Sequence, residues 1–243
     1  MKIEDFLKIN IEAYLLKDLQ NILKIKVSKG EVGEGSYPML SSILAGMELL
    51  GAIVNPKGSV ETINNKLGID GGKHFQHFWI HYLSQLEKKY VGFGLLFYDL
   101  LRNGIVHTFM VKQHIIVFKR HSKHMYCSQS PPQLIVGCQE FFEDFLQTYN
   151  KYILPILKTE NKFTHANRDI MQANLDEMLD LYSGEADTQF KNLVLSKYTP
   201  ILRTPITPIS PASVSPQEMS EFINLSGGST TPSEINWPPK TKS

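Results

Sequence analysis

Cysteine is scarce in this sequence. Only Cys127 and Cys138 occur among the 243 residues, which is too few for a disulfide framework, and they lack the paired spacing of a zinc site. Neither sign of charge is in excess, because 25 lysines and arginines balance 24 acidic residues. Any affinity for nucleic acid therefore has to come from a local basic patch. The cysteine usage fits a reducing compartment, and we expect a cytoplasmic protein.

Long uninterrupted hydrophobic runs are also missing. The first residues carry Glu4 and Asp5 where a signal peptide has its basic region. The most apolar stretch, residues 37–54, is interrupted by two serines and by Glu48, and a glutamate in the middle of a membrane span is costly. We expect this stretch to be a buried helix, with no export and no membrane association.

The motifs of several enzyme classes are absent. Gly33 and Gly35 lack the Lys and Ser/Thr that complete a phosphate-binding loop, and no nucleophile elbow or paired-carboxylate motif occurs. Three histidines, His74, His77 and His81, share one face of a predicted helix. No carboxylate or cysteine at a matching position completes a ligand set. Core or surface histidines are the better interpretation, and we predict no metal and no cofactor.

Helical periodicity dominates the pattern that is present. Apolar residues recur at intervals of three and four through most of the first 182 residues, which predicts a mainly α protein, a helical bundle. Helices are predicted from the N-terminus to before Gly30, from Ser36 to Val54, from Ser59 to Gly68, from Lys73 to Lys89, over Leu95–Leu101, from Pro131 to Pro155 and from Asn167 to Tyr182, with a last short helix ending near Tyr198. Small residues in the second of these helices, Ala45, Gly46 and Gly51, allow close neighbours.

Two regions depart from the helical pattern. Residues 109–111 and 114–118 are β-branched and aromatic and are split by Lys112-Gln113, which predicts a small β-hairpin insertion. A third strand could follow near Tyr126. From Thr199 onward the composition changes, because eight of the thirteen prolines lie there. We predict one folded domain over residues 1–198, with its core at about 35–157, and a disordered Pro/Ser/Thr-rich tail over 199–243.

The segment from Arg102 to His107 is the strongest candidate site. It places a permanent cation and a side chain that titrates near neutrality after an apolar run, and phosphate chemistry uses both. On an undistorted helix, five residues turn by roughly 140° and rise roughly 7.5 Å, so the two side chains diverge. Loosening of the helix at Gly104 and a two-fold dimer would bring the side chains of two chains together.

The order Arg102-Asn103-Gly104-Ile105-Val106-His107 resembles the motif of the HEPN superfamily. Members of that family carry an Arg, four to six intervening residues and a His, commonly with Asn directly after the Arg. The resemblance covers roughly residues 35–157. It implies a helical bundle that usually forms homodimers and, in the ribonuclease members, metal-independent RNA cleavage.

The resemblance, together with the residues next to the motif, suggests catalytic roles for four side chains. His107 would take a proton from the RNA 2′-hydroxyl and Arg102 would stabilise the charge on the phosphate. Asn103 would bond to the phosphate or hold the histidine, and Asp99 would hold the arginine. One departure is Phe109, since toxin members often have Tyr two residues after the His. The alternative is an arginine that merely pairs with Asp99 one turn earlier.

A second basic segment precedes Tyr126. Within residues 119–124, the cations Lys119, Arg120 and Lys123 could contact a phosphate backbone, although a solvated turn explains the same residues. The leading hypothesis is thus a HEPN-like endoribonuclease that binds RNA. The alternatives are a non-catalytic dimeric scaffold that binds nucleotide, RNA or a protein, and a protein that acts through a partner of its Thr-Pro and Ser-Pro tail.

Overall fold

The computed structural model describes residues 1–26, 35–63, 66–108 and 114–189, and within these ranges the chain is mainly α, as predicted. The described residues form six helices: α1 (Ile3–Phe6, Leu7–Leu16 and Lys17–Lys24), α2 (Ser36–Ile53), α3 (Gly71–Phe78, Trp79–Leu83 and Ser84–Leu86), α4 (Gly94–Leu96, Phe97–Arg102 and Asn103–Thr108), α5 (Cys138–Thr148 and Tyr149–Ile153) and α6 (Arg168–Gln189). Single 3₁₀ turns occupy Lys88–Tyr90 and Leu154–Leu157. The compact unit spans Met1–Thr188. The predicted tail and the predicted helix end near Tyr198 lie outside the described residues.

Helix α2 is the central helix of this unit. Ten of its residues are buried, and the close approach predicted at its small residues is confirmed at Gly46 and Gly51, whereas Ala45 is exposed. A Cβ atom on Gly51 would lie 2.0 Å from the backbone oxygen of His74, and one on Gly46 would lie 2.6 Å from a methyl carbon of Leu15. The length and apolar composition of α2 would also allow it to cross a membrane. In this fold it packs against helices α1, α3, α4 and α5.

The segment predicted as a short helix between Ser59 and Gly68 is instead a β-hairpin. Strand β1 (Glu61–Ile63) pairs in antiparallel register with β2 (Lys66–Gly68). The helix prediction was wrong because the β-branched Thr62 favours extended backbone. The hydroxyl of Ser59, expected to start the helix, donates instead to the backbone oxygen of Asn174 at 2.9 Å.

A second sheet contains β3 (Ile115–Phe118), β4 (Tyr126–Gln129) and β5 (Pro132–Gly137) in the order β3-β5-β4. Strand β5 is parallel to β3 and antiparallel to β4. The strand expected near Tyr126 is therefore confirmed, whereas the helix expected from Pro131 begins only at Cys138. Residues 109–111, the first strand of the predicted hairpin, lie outside the described residues.

An aromatic cluster fixes helix α4 against α3 and α5. The rings of Trp79 and Phe97 have centroids 4.6 Å apart, and Phe141 of α5 packs 5.6 Å from Phe97. The indole N–H of Trp79 donates to the backbone oxygen of Tyr90 at 2.8 Å, so the largest buried side chain has its polar group satisfied. This packing holds the helix that carries the predicted site.

Helix α6 closes the unit against α1. The side chain of Asn167 accepts from the backbone N–H of Ile170 at 3.0 Å and so supports the start of α6. The carboxamide oxygen of Gln172 accepts the backbone N–H of Ile3 at 2.8 Å. Helix α6 was predicted over residues 167–182, but it continues through Gly184 to Gln189.

Candidate functional site

Arg102 is held by a carboxylate that is distant in sequence. Its Nε donates to Glu48 Oε2 at 3.0 Å and its Nη2 donates to Glu48 Oε1 at 3.2 Å. Both side chains are largely buried, with 22% and 20% of their surface exposed. The predicted partner Asp99 is exposed, and within the described part of α4 no ion pair joins it to Arg102. That expectation was wrong because Phe97–Arg102 is π-helical, and its wider turn separates residues three apart.

Asn103 and Tyr98 complete the surroundings of the guanidinium. Arg102 Nη1 donates to the side-chain oxygen of Asn103 at 3.2 Å, and the guanidinium carbon lies 5.4 Å from the centre of the Tyr98 ring. Three of the five guanidinium N–H groups are used in these bonds and in those to Glu48. Among the described residues, the remaining two N–H groups have no protein acceptor. Asn103, predicted to contact phosphate or the histidine, thus contacts the arginine itself.

The carboxylate of Glu48 sits beside the first turn of α3. A Cβ atom at Gly71 would lie 2.1 Å from Glu48 Oε1, so the glycine provides the space for this carboxylate. The positive end of the α3 dipole is favourable for an anion at this position. Glu48 was read from sequence only as an interruption of an apolar stretch. A lone glutamate in a buried helix needs a cationic partner, and that signal could have indicated its role.

An open pocket of about 280 Å³ adjoins the Arg102–Glu48 pair. Its polar wall is this ion pair, and its other walls are mainly apolar. The lining residues are Ala45, Glu48, Leu49, Ala52, Ile69, Arg102, Met178 and Tyr182. Such a pocket fits a ligand that combines an apolar or aromatic body with a group that accepts hydrogen bonds.

His107 lies on the last segment of α4, Asn103–Thr108, which passes through Gly104 as an α-helix. The side chain of His107 lies outside the described part of the structure. The backbone retains helical geometry between the two residues. On this helix, positions 102 and 107 are about 140° apart around the axis.

The three cations predicted to bind phosphate in the segment 119–124 are not equivalent. Lys119 is only 7% exposed, and its Nζ donates to the backbone oxygen of Ile25, just after α1. Arg120 is exposed. Lys123 Nζ lies 5.0 Å over the ring of Tyr126. Arg120 and Lys123 therefore remain accessible, whereas Lys119 holds the end of a helix.

His124 belongs to a buried hydrogen-bond chain next to this segment. Its Nδ1 accepts the backbone N–H of Gly137 at 3.1 Å, so the neutral ring carries its proton on Nε2 and donates to the Tyr90 hydroxyl at 2.8 Å. Tyr90 donates to Asp144 Oδ2 at 2.6 Å, and Lys89 pairs with the same oxygen at 2.6 Å. Burial, and next Lys89, lower the pKa of His124 to about 4. These hydrogen bonds connect the basic segment 119–124 to Asp144 of α5.

We expect the protein to lose stability as pH falls from 6.5 towards 4. His124 stays neutral when folded but takes up a proton near its ordinary pKa of 6.5 when unfolded, so the unfolded state gains protons first. The effect is only about 0.2 kcal/mol at pH 7 and reaches about 2 kcal/mol at pH 5. The pKa of His77 is also lowered to about 4, mainly by burial. His77 therefore also lowers the stability of the folded protein as the pH falls.

Urea unfolding at pH 7 and pH 5 measures this loss. His124→Gln should reduce the difference between the two pH values. An unaltered pH dependence in His124→Gln would contradict the assignment.

The histidines considered as metal ligands have other partners. His74 is fully buried, with Nδ1 3.3 Å from the side-chain nitrogen of Asn55 and Nε2 2.9 Å from the backbone oxygen of Ser59. The rings of His77 and His81 have centroids 4.8 Å apart. Among the described residues, no group of three or more His, Cys, Asp or Glu side chains has the arrangement of a metal site.

Comparison of the chain with protein-family models, curated proteins and solved structures finds no match. The HEPN resemblance therefore depends on the motif in residues 102–107, and it remains a prediction.

Proposed function

We propose that this chain is a HEPN-like, metal-independent endoribonuclease in which Arg102 and His107 act on the RNA phosphate. One observation carries the proposal. The guanidinium of Arg102 is oriented by Glu48 and Asn103 at the wall of an open pocket, and two of its N–H groups have no acceptor among the described residues. A cation held in advance of the reaction can stabilise charge that develops on a phosphate without reorganising.

The reaction needs only groups of the protein and the RNA. Neutral His107 accepts the proton of a 2′-hydroxyl, and that oxygen forms a bond to the adjacent phosphorus. The bond from phosphorus to the 5′-oxygen breaks, and this oxygen takes up the proton that His107 removed from the 2′-hydroxyl, which returns the histidine to its neutral form. The products are a 2′,3′-cyclic phosphate and a 5′-hydroxyl. Arg102 would donate its free N–H groups to a non-bridging oxygen as negative charge builds there.

A homodimer is part of the proposal. Because residues 103–108 are helical, positions 102 and 107 of one chain are about 140° apart around the helix axis, and a two-fold axis near α4 would supply the missing group from a second chain. Exposed apolar side chains near the start of α4 support such a contact. Ile80, Val91 and Leu95 are each more than half exposed and line one groove of about 400 Å³.

A second candidate is a non-catalytic dimeric scaffold that binds RNA, nucleotide or a protein. The Arg102–Glu48 pair favours it, since a carboxylate 3.0 Å away offsets the positive charge that a phosphate would otherwise meet. In this case the pair joins α2 to α4, and Arg102 serves only as a weak anion contact.

The test is incubation of the purified full chain with mixed single-stranded RNA, with and without EDTA. We expect fragments ending in 2′,3′-cyclic phosphate and 5′-hydroxyl, in equal yield with the chelator, and sedimentation as a dimer at the assay concentration. Cleavage that requires a divalent metal would contradict the mechanism. Binding without cleavage, weakened strongly by salt, would favour the scaffold.

A further inference from the structure

A basic cleft lies where the end of α1 meets the end of β3. Its volume is about 780 Å³, and its lining residues are Leu23, Lys24, Ile25, Lys26, Phe118, Lys119 and Arg120. Four of these seven described residues are cations, and none of the seven is acidic. The protein as a whole is nearly neutral, with a formal charge of +1, so this concentration of positive charge is a local feature.

Three of the four cations are exposed, and Lys24 also donates from Nζ to the side-chain oxygen of Asn21 at 3.3 Å. Lys24, Lys26 and Arg120 are exposed, and within the described ranges none of them forms an ion pair. Lys119 donates instead to the backbone oxygen of Ile25. This bond places a positive charge at the carboxyl end of α1, where the helix dipole is negative and would otherwise repel an anion.

An aromatic surface adjoins these cations. The ring of Phe118 is 39% exposed although it ends a strand, and one face stacks on His121 with a centroid distance of 4.7 Å and an interplanar angle of 27°. A ring fixed in this way offers a rigid platform on which a nucleobase can stack. Positive charge along a groove together with a stacking platform is the arrangement that single-stranded nucleic acid requires.

The cleft is separate from the Arg102 pocket. The end of α1 packs at the start of α2, where a Cβ atom on Gly35 would lie 2.8 Å from Ile22. Glu48, the partner of Arg102, lies twelve residues after Ser36 on α2. At about 1.5 Å per residue, roughly 18 Å of helix separates the two sites. A ligand in the cleft therefore contacts residues that the motif does not include.

We propose that this cleft binds a single-stranded segment of RNA, with Lys24, Lys26 and Arg120 on the phosphates and Phe118 under a base. The choice of RNA as ligand rests on the proposed function, but the binding needs no cleavage. The cleft holds the strand outside the pocket at which Arg102 acts. Of the cations predicted from sequence to bind phosphate, Arg120 keeps that role, and Lys24 and Lys26 are added.

The experiment uses the full chain and a fluorescent 2′-O-methyl RNA oligonucleotide, which has no free 2′-hydroxyl and is not cut. The variant Lys24→Gln/Lys26→Gln/Arg120→Gln should weaken binding by at least about tenfold near 0.1 M salt. It should also reduce the slope of log affinity against log salt by about 2. The control Lys8→Gln/Lys158→Gln/Lys162→Gln removes the same charge from exposed positions elsewhere, and it should bind nearly as the wild type does.

The aromatic part of the proposal has its own variants. Phe118→Ala should weaken binding by about five- to 150-fold, the range for loss of one stacked base, without changing the salt slope. Phe118→Trp should retain binding, which separates stacking from a general disturbance of β3.

Three results would overturn the proposal: no binding by the wild type, equal losses in the cleft variant and its control, or binding of phosphatidylserine vesicles in place of the oligonucleotide. If the wild-type protein binds the oligonucleotide in the cleft but cuts no RNA, the nuclease proposal is contradicted and the cleft proposal is not.

Discussion

His107→Ala is expected to lower the rate of RNA cleavage by about 10²- to 10⁴-fold, because the 2′-hydroxyl then loses its general base. Arg102→Ala should cause a loss of similar size, since charge on the phosphate is no longer stabilised by a fixed cation. Cleavage of a labelled oligonucleotide under single-turnover conditions measures both rates. Affinity for the uncleaved 2′-O-methyl analogue should change far less than the rate.

The protein offers a matched control for the arginine. Arg168 also pairs with a glutamate, Glu4, but this pair is surface-exposed and joins α6 to the start of α1. Arg168→Ala removes an arginine and leaves a glutamate unpaired, as Arg102→Ala does, and it should leave the cleavage rate unchanged. Equal activity of Arg102→Ala and Arg168→Ala, or full activity of His107→Ala, would show that the assigned roles are incorrect.

Glu48→Gln separates the two candidate functions. If Glu48 positions Arg102 for catalysis, the amide keeps only part of the hydrogen bonding, so the single-turnover rate falls while RNA affinity changes little. If Glu48 mainly neutralises Arg102 in a scaffold, its removal frees a positive charge, and RNA affinity rises with a steeper salt dependence.

The helix that carries Arg102 was predictable because its information is local. Apolar residues at helical spacing precede the motif, and this periodicity survives the π-helical turn. The partner of Arg102 was not predictable in the same way. Glu48 lies 54 positions earlier, and the nearby Asp99 offered a plausible carboxylate only if α4 were a regular α-helix.

Strand β5 shows a different limit of prediction from sequence. Leu134 lies four residues before Cys138 and seven before Phe141, so it continued the apolar stripe of α5 and was assigned to that helix. In the structure Leu134 pairs with Ile115 of β3. An apolar run of this length fits either a buried strand or a helix end, and only the pairing partner decides between them. The basic cleft was missed for the same reason, since Lys24 and Arg120 become neighbours only through the fold.

Gly51→Ala is expected to destabilise the protein strongly, because α2 and α3 touch at this glycine. The added methyl carbon would lie 2.0 Å from the backbone oxygen and 2.7 Å from the backbone carbon of His74. Backbone cannot move aside as a flexible side chain can, so the two helices must separate. We expect a loss of at least about 2 kcal/mol and a fall in Tm of at least about 4–8 °C.

Two other glycines in helices, Gly46 and Gly184, serve as controls, because the same substitution meets different surroundings there. At Gly46 the new methyl group would meet side chains of Leu15 and Phe145 at 2.6 and 3.1 Å, which can shift, so Gly46→Ala should cost less than Gly51→Ala. At Gly184 a Cβ atom meets nothing within 4 Å, and alanine in a helix loses less entropy on folding than glycine. Gly184→Ala should therefore stabilise the protein by about 0.5–1 kcal/mol.

Thermal unfolding of the three variants should give Gly51→Ala the lowest Tm and Gly184→Ala the highest. A Gly51→Ala protein as stable as Gly184→Ala would mean that α2 and α3 do not meet at this residue, and the position of Glu48 beside the first turn of α3 would then have to be revised as well.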